Sequence, residues 1–219
     1  ERERANRIMA KESRRLTQLV ENILHFSRSR AAPSVSASRQ SVPLAEGARD
    51  VVEAFRPLMD PHRGTVEVDV PEDLVALANR DALRQILSNL LDNALKYGPP
   101  GQTVRVSGER YGGVVRLLVD DEGPGVPEAD RETVWEPYVR LPRDVDSHRP
   151  GSGVGLAVVR TLAEEVGARA HVEGAPGGGA RFVVELASVD PANTDARPPR
   201  DQPIDASEET SPVGAHPAH

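Results

Sequence analysis

The sequence predicts an α+β fold: a two-layer sandwich with helices on one face of a mixed, mostly antiparallel sheet, preceded by a long helix. Three observations lead there. The predicted order is strand–helix–strand–strand–helix–strand–strand, and its adjacent strand pairs favour hairpins over helical crossovers. The run TVEVDV at 65–70 alternates strictly, as a strand with one buried face does. Leu83, Ile86, Leu87, Leu90, Leu91, Ala94 and Leu95 recur at three- and four-residue steps, the stripe of a helix packed on one side. Aromatic residues make up 3% of the chain, so aliphatic side chains must supply most of the core.

Taken in order, residues 1–30 read as a long helix with the stripe Ile8, Leu16, Leu19, Val20, Ile23 and Leu24. A lone amphipathic helix cannot bury such a stripe, so it needs a partner helix. The small, polar, Pro-containing stretch 31–41 is a predicted linker. Residues 44–59 form a second amphipathic helix, with Leu44, Ala48, Val51, Val52 and Phe55 on one side and Pro57 near its end. Asp60-Pro61-His62-Arg63-Gly64 is a turn cluster, and 74–78 a short strand leading into the helix of 81–97. Asp81 is placed to cap that helix and Gly98-Pro99-Pro100 to stop it. TVRVSGERYGGVVRLLVDD is a hairpin turning at Gly112-Gly113. Residues 127–134 suit a short helix. The stretch 136–150 holds Pro137, Pro142 and Pro150 and has no period; at that length a lid is expected. A helix over 155–166 ends at Gly167, and strands at 169–173 and 180–186 flank a glycine-rich loop. From Ser188 on no apolar period remains, the composition of a disordered acidic tail.

Composition excludes some classes. The net charge of −7 argues against a general nucleic-acid binder. The absence of cysteine rules out disulfides and cysteine-held zinc, and fits a reducing compartment. No apolar run approaches the ~20 residues of a membrane span, so no membrane contact is expected of this segment. Glu1 falls in mid-helix pattern, which points to a piece of a longer protein.

The informative stretch is NRDALRQILSNLLDNALKYGPP at 79–100. Asn89, Asn93 and Tyr97 are four apart and share a face, with Lys96 beside Asn93. Asparagine is a poor residue for a helix interior, because its amide competes for backbone groups. The pair reads either as two solvated amides or as a surface facing metal and phosphate. An amide oxygen is a hard ligand suited to magnesium, and lysine is a point charge for phosphate. Downstream, Asp121 ends an apolar strand and starts DEGPG. A carboxylate there is acceptor-only and suits the exocyclic amine of adenine rather than the carbonyl of guanine. Gly123 and Gly125 allow close backbone approach. Gly151, Gly153 and Gly155 then precede an apolar helix whose free N–H groups make an anion site. A dinucleotide fingerprint fails for want of a βαβ unit, and no Walker A loop occurs.

In that order, these three segments resemble the N box and the two glycine boxes of the GHKL ATPases, most closely those of sensor histidine kinases. The resemblance covers roughly residues 1–188. It implies a Bergerat-type ATP-binding catalytic domain over 42–187, a linker at 31–41, and, in 1–30, the second helix of a dimerisation and phosphotransfer hairpin, with the tail at 188–219 outside it. It implies ATP and magnesium as cofactors, with Asn93 the metal ligand and Asn89 a weaker candidate. Asn89, Asn93, Lys96 and Arg140 become the catalytic set. Asn93, Lys96, Tyr97, Asp121, Gly123, Gly125, Tyr138, Gly151, Gly153, Val154, Gly155 and Leu156 become the nucleotide-binding set. Trp135 and Tyr138 stand where the family has two phenylalanines, Glu122 where asparagine is frequent, and Val154 where leucine is common.

The implied reaction moves the γ-phosphoryl of ATP to a histidine and on to an aspartate of a response-regulator receiver domain. The implied parent is a homodimer through the hairpin, anchored in a membrane, with this part cytoplasmic. The family's acceptor motif, of the kind SHELRTPL, is not found, and His25 sits at the wrong end of the wrong helix, so the acceptor is expected outside this chain. Two alternatives stand beside this: another GHKL ATPase or serine kinase, and a non-catalytic nucleotide-sensing module. Hydrolytic members carry a glutamate where this chain has Asn89, which favours phosphotransfer.

Overall fold

The computed structural model describes residues 39–59, 64–145 and 152–189. The expected helix of 1–30, most of the linker, part of the turn at 60–64, the lid residues 146–150 with Gly151, and the tail from 190 on lie outside the described residues.

The described chain runs β1 (Gln40–Pro43), α1 (Leu44–Met59), β2 (Thr65–Asp69), β3 (Val75–Ala78), α2 (Arg80–Tyr97), β4 (Thr103–Tyr111) and β5 (Val114–Asp120). After two 3-10 turns come α3 (Pro142–Val145), α4 (Gly155–Glu165), β6 (Arg169–Gly174) and β7 (Ala180–Ala187). Five strands make the main sheet in the order β2-β4-β5-β7-β6. Only β2–β4 is parallel; the other three pairings are antiparallel. This is the mixed, mostly antiparallel sheet that the sequence predicts.

Strand alternation divides the sheet cleanly. Val104 and Val106, Val115, Leu117 and Val119, Ala170 and Val172, and Phe182, Val184 and Leu186 share one buried cluster with the apolar stripes of α1, α2 and α4. All three long helices therefore lie on that face. The register lines up the opposite face as charge ladders. Glu67, Arg105, Asp120, Arg181 and Glu173 are successive cross-strand neighbours, alternating in sign. Arg181 grips Asp120 through two bonds of 2.7 Å. A second row runs Glu109, Arg116, Glu185 and Arg169. Between the rows sit Leu118 and Val183, which are buried yet outside the main cluster. The arginine stems can shield them while the guanidinium groups stay wet, and among the described residues no helix covers this face.

Four expectations need correction. The N-cap of α2 is Asn79, not Asp81: Asn79 has extended backbone and its side chain accepts from the Ala82 N–H at 2.9 Å. Asp81 falls in the first turn, where its charge still suits the helix dipole. The predicted linker ends early, because Gln40 and Ser41 already belong to β1, which pairs antiparallel with β3. The first tail residues are tied down: Ser188 bridges Ala76, and the Val189 N–H donates to the Val75 carbonyl at 3.0 Å. The short helix expected at 127–134 is two 3-10 turns, Glu128–Asp130 and Thr133–Trp135. They seat Trp135 edge-on to Phe182, with ring centroids 6.0 Å apart.

Candidate functional site

A cleft opens where β5 ends. Helix α2 contributes Asn93 and Tyr97, the loop after β5 contributes Asp121, Pro124, Gly125 and Val126, and α4 contributes Leu156. Ala180 and Phe182 of β7 form the floor with Val134, and Val139 to Leu141, Arg143 and Asp144 close the fourth side.

Asp121 is held rigidly. Its Oδ1 accepts from the Gly123 N–H at 2.8 Å and the Ala180 N–H at 3.0 Å, and its own N–H donates to the Ala180 carbonyl at 3.0 Å. A side chain at Gly179 would place its Cβ 2.0 Å from the Asp121 carbonyl oxygen, and Gly179 also has φ +92°, so only glycine fits. Burial pushes the Asp121 carboxyl above the ordinary carboxylate range; the two N–H bonds pull it back down, and neighbouring Asp120 adds to the rise. Among the described residues both side-chain bonds fall on Oδ1, which leaves Oδ2 as the acceptor for a ligand.

Asn89 and Asn93 are not equivalent. Asn89 is buried, and its amide nitrogen donates to the Gln85 carbonyl at 2.9 Å, so the reading of two solvated amides does not apply to it. That bond turns its oxygen the other way. Built onto Gly155, a Cβ would lie 3.4 Å from Asn89 Oδ1 and 3.9 Å from Asn93 Oδ1. Both hard oxygens therefore face the first residue of α4. Among the described residues no side chain caps that end of the helix, and its first turn carries no acidic residue. Two amide oxygens beside an uncapped helix N-terminus suit a magnesium–phosphate group. Among the described residues no cluster of three His, Cys, Asp or Glu could hold a metal. The phosphates would have to complete the metal's shell, which is the habit of magnesium.

The segment leading toward the lid is pinned. The Tyr138 N–H donates to the Gly153 carbonyl at 2.8 Å. Gly153 has φ +70°, and a Cβ on it would sit 2.9 Å from Tyr138 backbone atoms. Tyr138 itself adopts φ +68° and is 70% exposed, so its ring stands outside the cleft, where Val139 and Arg140 line it instead. Arg140 donates to the Asp144 carbonyl. A short helix stands within the stretch that the sequence shows as aperiodic, and Arg143 from it donates to the Gly125 carbonyl, bridging to the loop after β5.

The structure thus brings together Asn93, Tyr97, Asp121, Gly125, Arg140 and Leu156, with Gly123 bonded to Asp121 and Asn89 and Gly155 behind Asn93. Val154 is the residue before α4 and is buried. Lys96 is not among the residues lining the cleft; its ammonium pairs with Asp92 one turn back. Sequence reasoning missed Arg143 and Asp144. A four-residue helix opened by proline gives no periodic signal, though Pro142 before a charged run is a helix start.

A mixed-sheet sandwich that gathers a buried acid, an amide pair and a helix N-terminus around one cleft has the chemistry to hold a nucleotide. The chain belongs to the HATPase_c family, described as histidine kinase-, DNA gyrase B- and HSP90-like ATPases, whose model matches residues 78–189. It is 33% identical over 171 residues to the adaptive-response sensory kinase SasA of Synechococcus sp. (strain JA-2-3B'a(2-13)), covering 77% of this chain and 45% of that one. Against the sensor protein KdpD of Mycobacterium tuberculosis it is 37% identical over 183 residues, covering 79% and 20%. The chain spans less than half the length of these curated relatives. Its fold matches full-length ShkA in complex with AMPPNP, with a TM-score of 0.68, 31% identity, and 80% of this chain and 36% of that chain covered. It also matches the mycobacterial sensor histidine kinase MprB, with a TM-score of 0.60, 27% identity, and 69% and 99% covered. This is a histidine-kinase-type ATPase domain. Among the described residues no helix is long and apolar enough to cross a membrane.

Proposed function

We propose that this chain is the ATP-binding catalytic part of a two-component sensor histidine kinase. The observation that carries the reading is the convergence of Asp121, Asn93 and the α4 N-terminus on one cleft. Asp121 reads adenine through Oδ2, and the apolar walls of Val126, Leu156 and Phe182 enclose the base. The α4 N-terminus and Arg140 receive the phosphates, which the uncapped backbone N–H groups favour. Asn93, with Asn89 behind it, would hold magnesium, which supplies charge neutralisation on the phosphates when bound. Tyr97 packs along the nucleotide. Lys96 stays paired with Asp92 and acts at the edge of the site.

The reaction is attack of a histidine nitrogen on the γ-phosphorus, forming a P–N bond and releasing ADP. Most of the catalysis is positioning and charge stabilisation. The acceptor belongs to a hairpin helix facing the cleft; a receiver-domain aspartate then takes the phosphoryl group. The parent is a membrane-anchored homodimer with this domain in the cytoplasm. The test uses γ-labelled ATP with this chain alone and with a longer chain that restores an acceptor hairpin. Acid-labile label on the longer chain only is the expected result. Label on neither, with ATP still bound, would instead indicate a nucleotide-sensing module.

A further inference from the structure

We infer that Gln102 is a positioning residue for the nucleotide cleft, an internal amide that sets the spacing between the α2 side and the Asp121 side, and that Gly98 is glycine in order to seat it. The proposal rests on the nucleotide reading of the cleft. Gln102 lies in the connection between α2 and β4, where a polar side chain would ordinarily face water, yet it is only 3% exposed. Its Nε2 donates to the Ala94 carbonyl at 2.6 Å, and its Oε1 accepts from the Glu122 N–H at 3.4 Å. The partners fix the orientation of the amide, since a carbonyl requires the nitrogen and an N–H requires the oxygen. Ala94 follows Asn93 and Glu122 follows Asp121 in sequence. One side chain therefore joins the residue next to the metal-side amide with the residue next to the base-reading carboxylate.

The seat is specific. A Cβ at Gly98 would fall 2.1 Å from both Nε2 and Oε1 of Gln102 and 2.2 Å from Cδ. No such contact is tolerable, so any side chain at position 98 must displace the amide from this seat. Displacement takes the side-chain acceptor from the Glu122 N–H, a half-buried bond, and removes one of the two donors that the Ala94 carbonyl receives, the other being the Gly98 N–H at 2.9 Å. The two walls also approach directly here, since a Cβ on Gly123 would meet the Tyr97 carbonyl at 3.3 Å, but that approach is packing and makes no hydrogen bond that sets the spacing. The amide is the hydrogen-bonded link across that seam.

A ligand that spans both walls feels their spacing, whereas one that touches a single wall does not. The test compares Mg-ATP with adenosine by calorimetry, on the folded chain well below its melting point. Gln102→Ala should weaken Mg-ATP about five- to tenfold, the worth of one lost hydrogen bond in positioning, and adenosine by less than twofold. Gly98→Ala, which keeps the glutamine but displaces it, should do the same, and the double variant should be no worse than either single one. The Glu122 amide proton should exchange faster in all three. Equal losses for Mg-ATP and adenosine, or additive effects of the two substitutions, would overturn the proposal and leave Gln102 a plain structural residue. Failure of the unaltered chain to bind either ligand would be a different result, removing the nucleotide reading and this inference with it.

Discussion

Replacing Asp121 by asparagine separates the binding role of this carboxylate from its structural one. Asparagine retains a carbonyl that can accept from the Gly123 and Ala180 N–H groups, the bonds now made by Oδ1 at 2.8 and 3.0 Å. Its amide nitrogen then takes the place of Oδ2 and presents a donor to the adenine amine, itself a donor. One charge-assisted bond is lost, about 1.5–3 kcal/mol, which is roughly 10–150-fold in Kd. Alanine would behave differently, because the half-buried Gly123 N–H and the buried Ala180 N–H would both lose their acceptor, the buried one at about 1–3 kcal/mol. Calorimetric titration of ATP, with denaturant unfolding of the same samples, resolves the two effects. Asp121→Asn should bind ATP weakly while staying close to wild-type stability, and Asp121→Ala should lose both. If Asp121→Asn bound ATP within twofold of wild type, the carboxylate would not be reading the base.

The raised Asp121 carboxyl also gives a pH signature. A folded pKa above the unfolded one means the folded state holds the proton more tightly. The buried charge then costs stability as pH rises from the ordinary carboxylate range through the raised value, and the cost vanishes in acid. The stability of Asp121→Asn relative to wild type should therefore climb across that window; a flat difference would mean the carboxyl is not strained by burial. Asn93→Ala should weaken Mg-ATP more than metal-free ATP, and equal losses in paired titrations would make Asn93 structural. Asn79→Ala removes the α2 cap and should cost about 1 kcal/mol in urea unfolding, whereas Asp81→Ala should cost less; the reverse order would return the cap to Asp81.

The fold was legible where a period was long enough to read. The stripe of α2, the alternation of β4 and β5 and the Gly112-Gly113 turn all stand where the sequence puts them, because burial on one face imposes a period. β1 was not legible: four residues with a terminal proline and a single fully buried side chain, Val42, carry no alternation, and the strand exists because β3 pairs with it. The cap of α2 was misplaced by two residues, since asparagine and aspartate both cap well and only the extended backbone at Asn79 decides. In the cleft, Asp121 and Asn93 were readable because residue type and position in an element together point to chemistry. Gln102 was not. A glutamine in a loop signals nothing until the fold shows Gly98 opposite it and backbone groups at both ends of its amide. Lys96 shows the converse: its spacing beside Asn93 suggested the phosphates, and Asp92 four residues earlier offered the nearer partner.

Competition for the cleft between purine nucleotides tests the central claim most directly. The unaltered chain is loaded with a fluorescent adenine nucleotide and titrated with ATP, then separately with GTP, in magnesium. The account predicts displacement by ATP and at least about tenfold weaker displacement by GTP, whose carbonyl meets the acceptor-only Oδ2 of Asp121. Displacement by both nucleotides at the same concentration would contradict it.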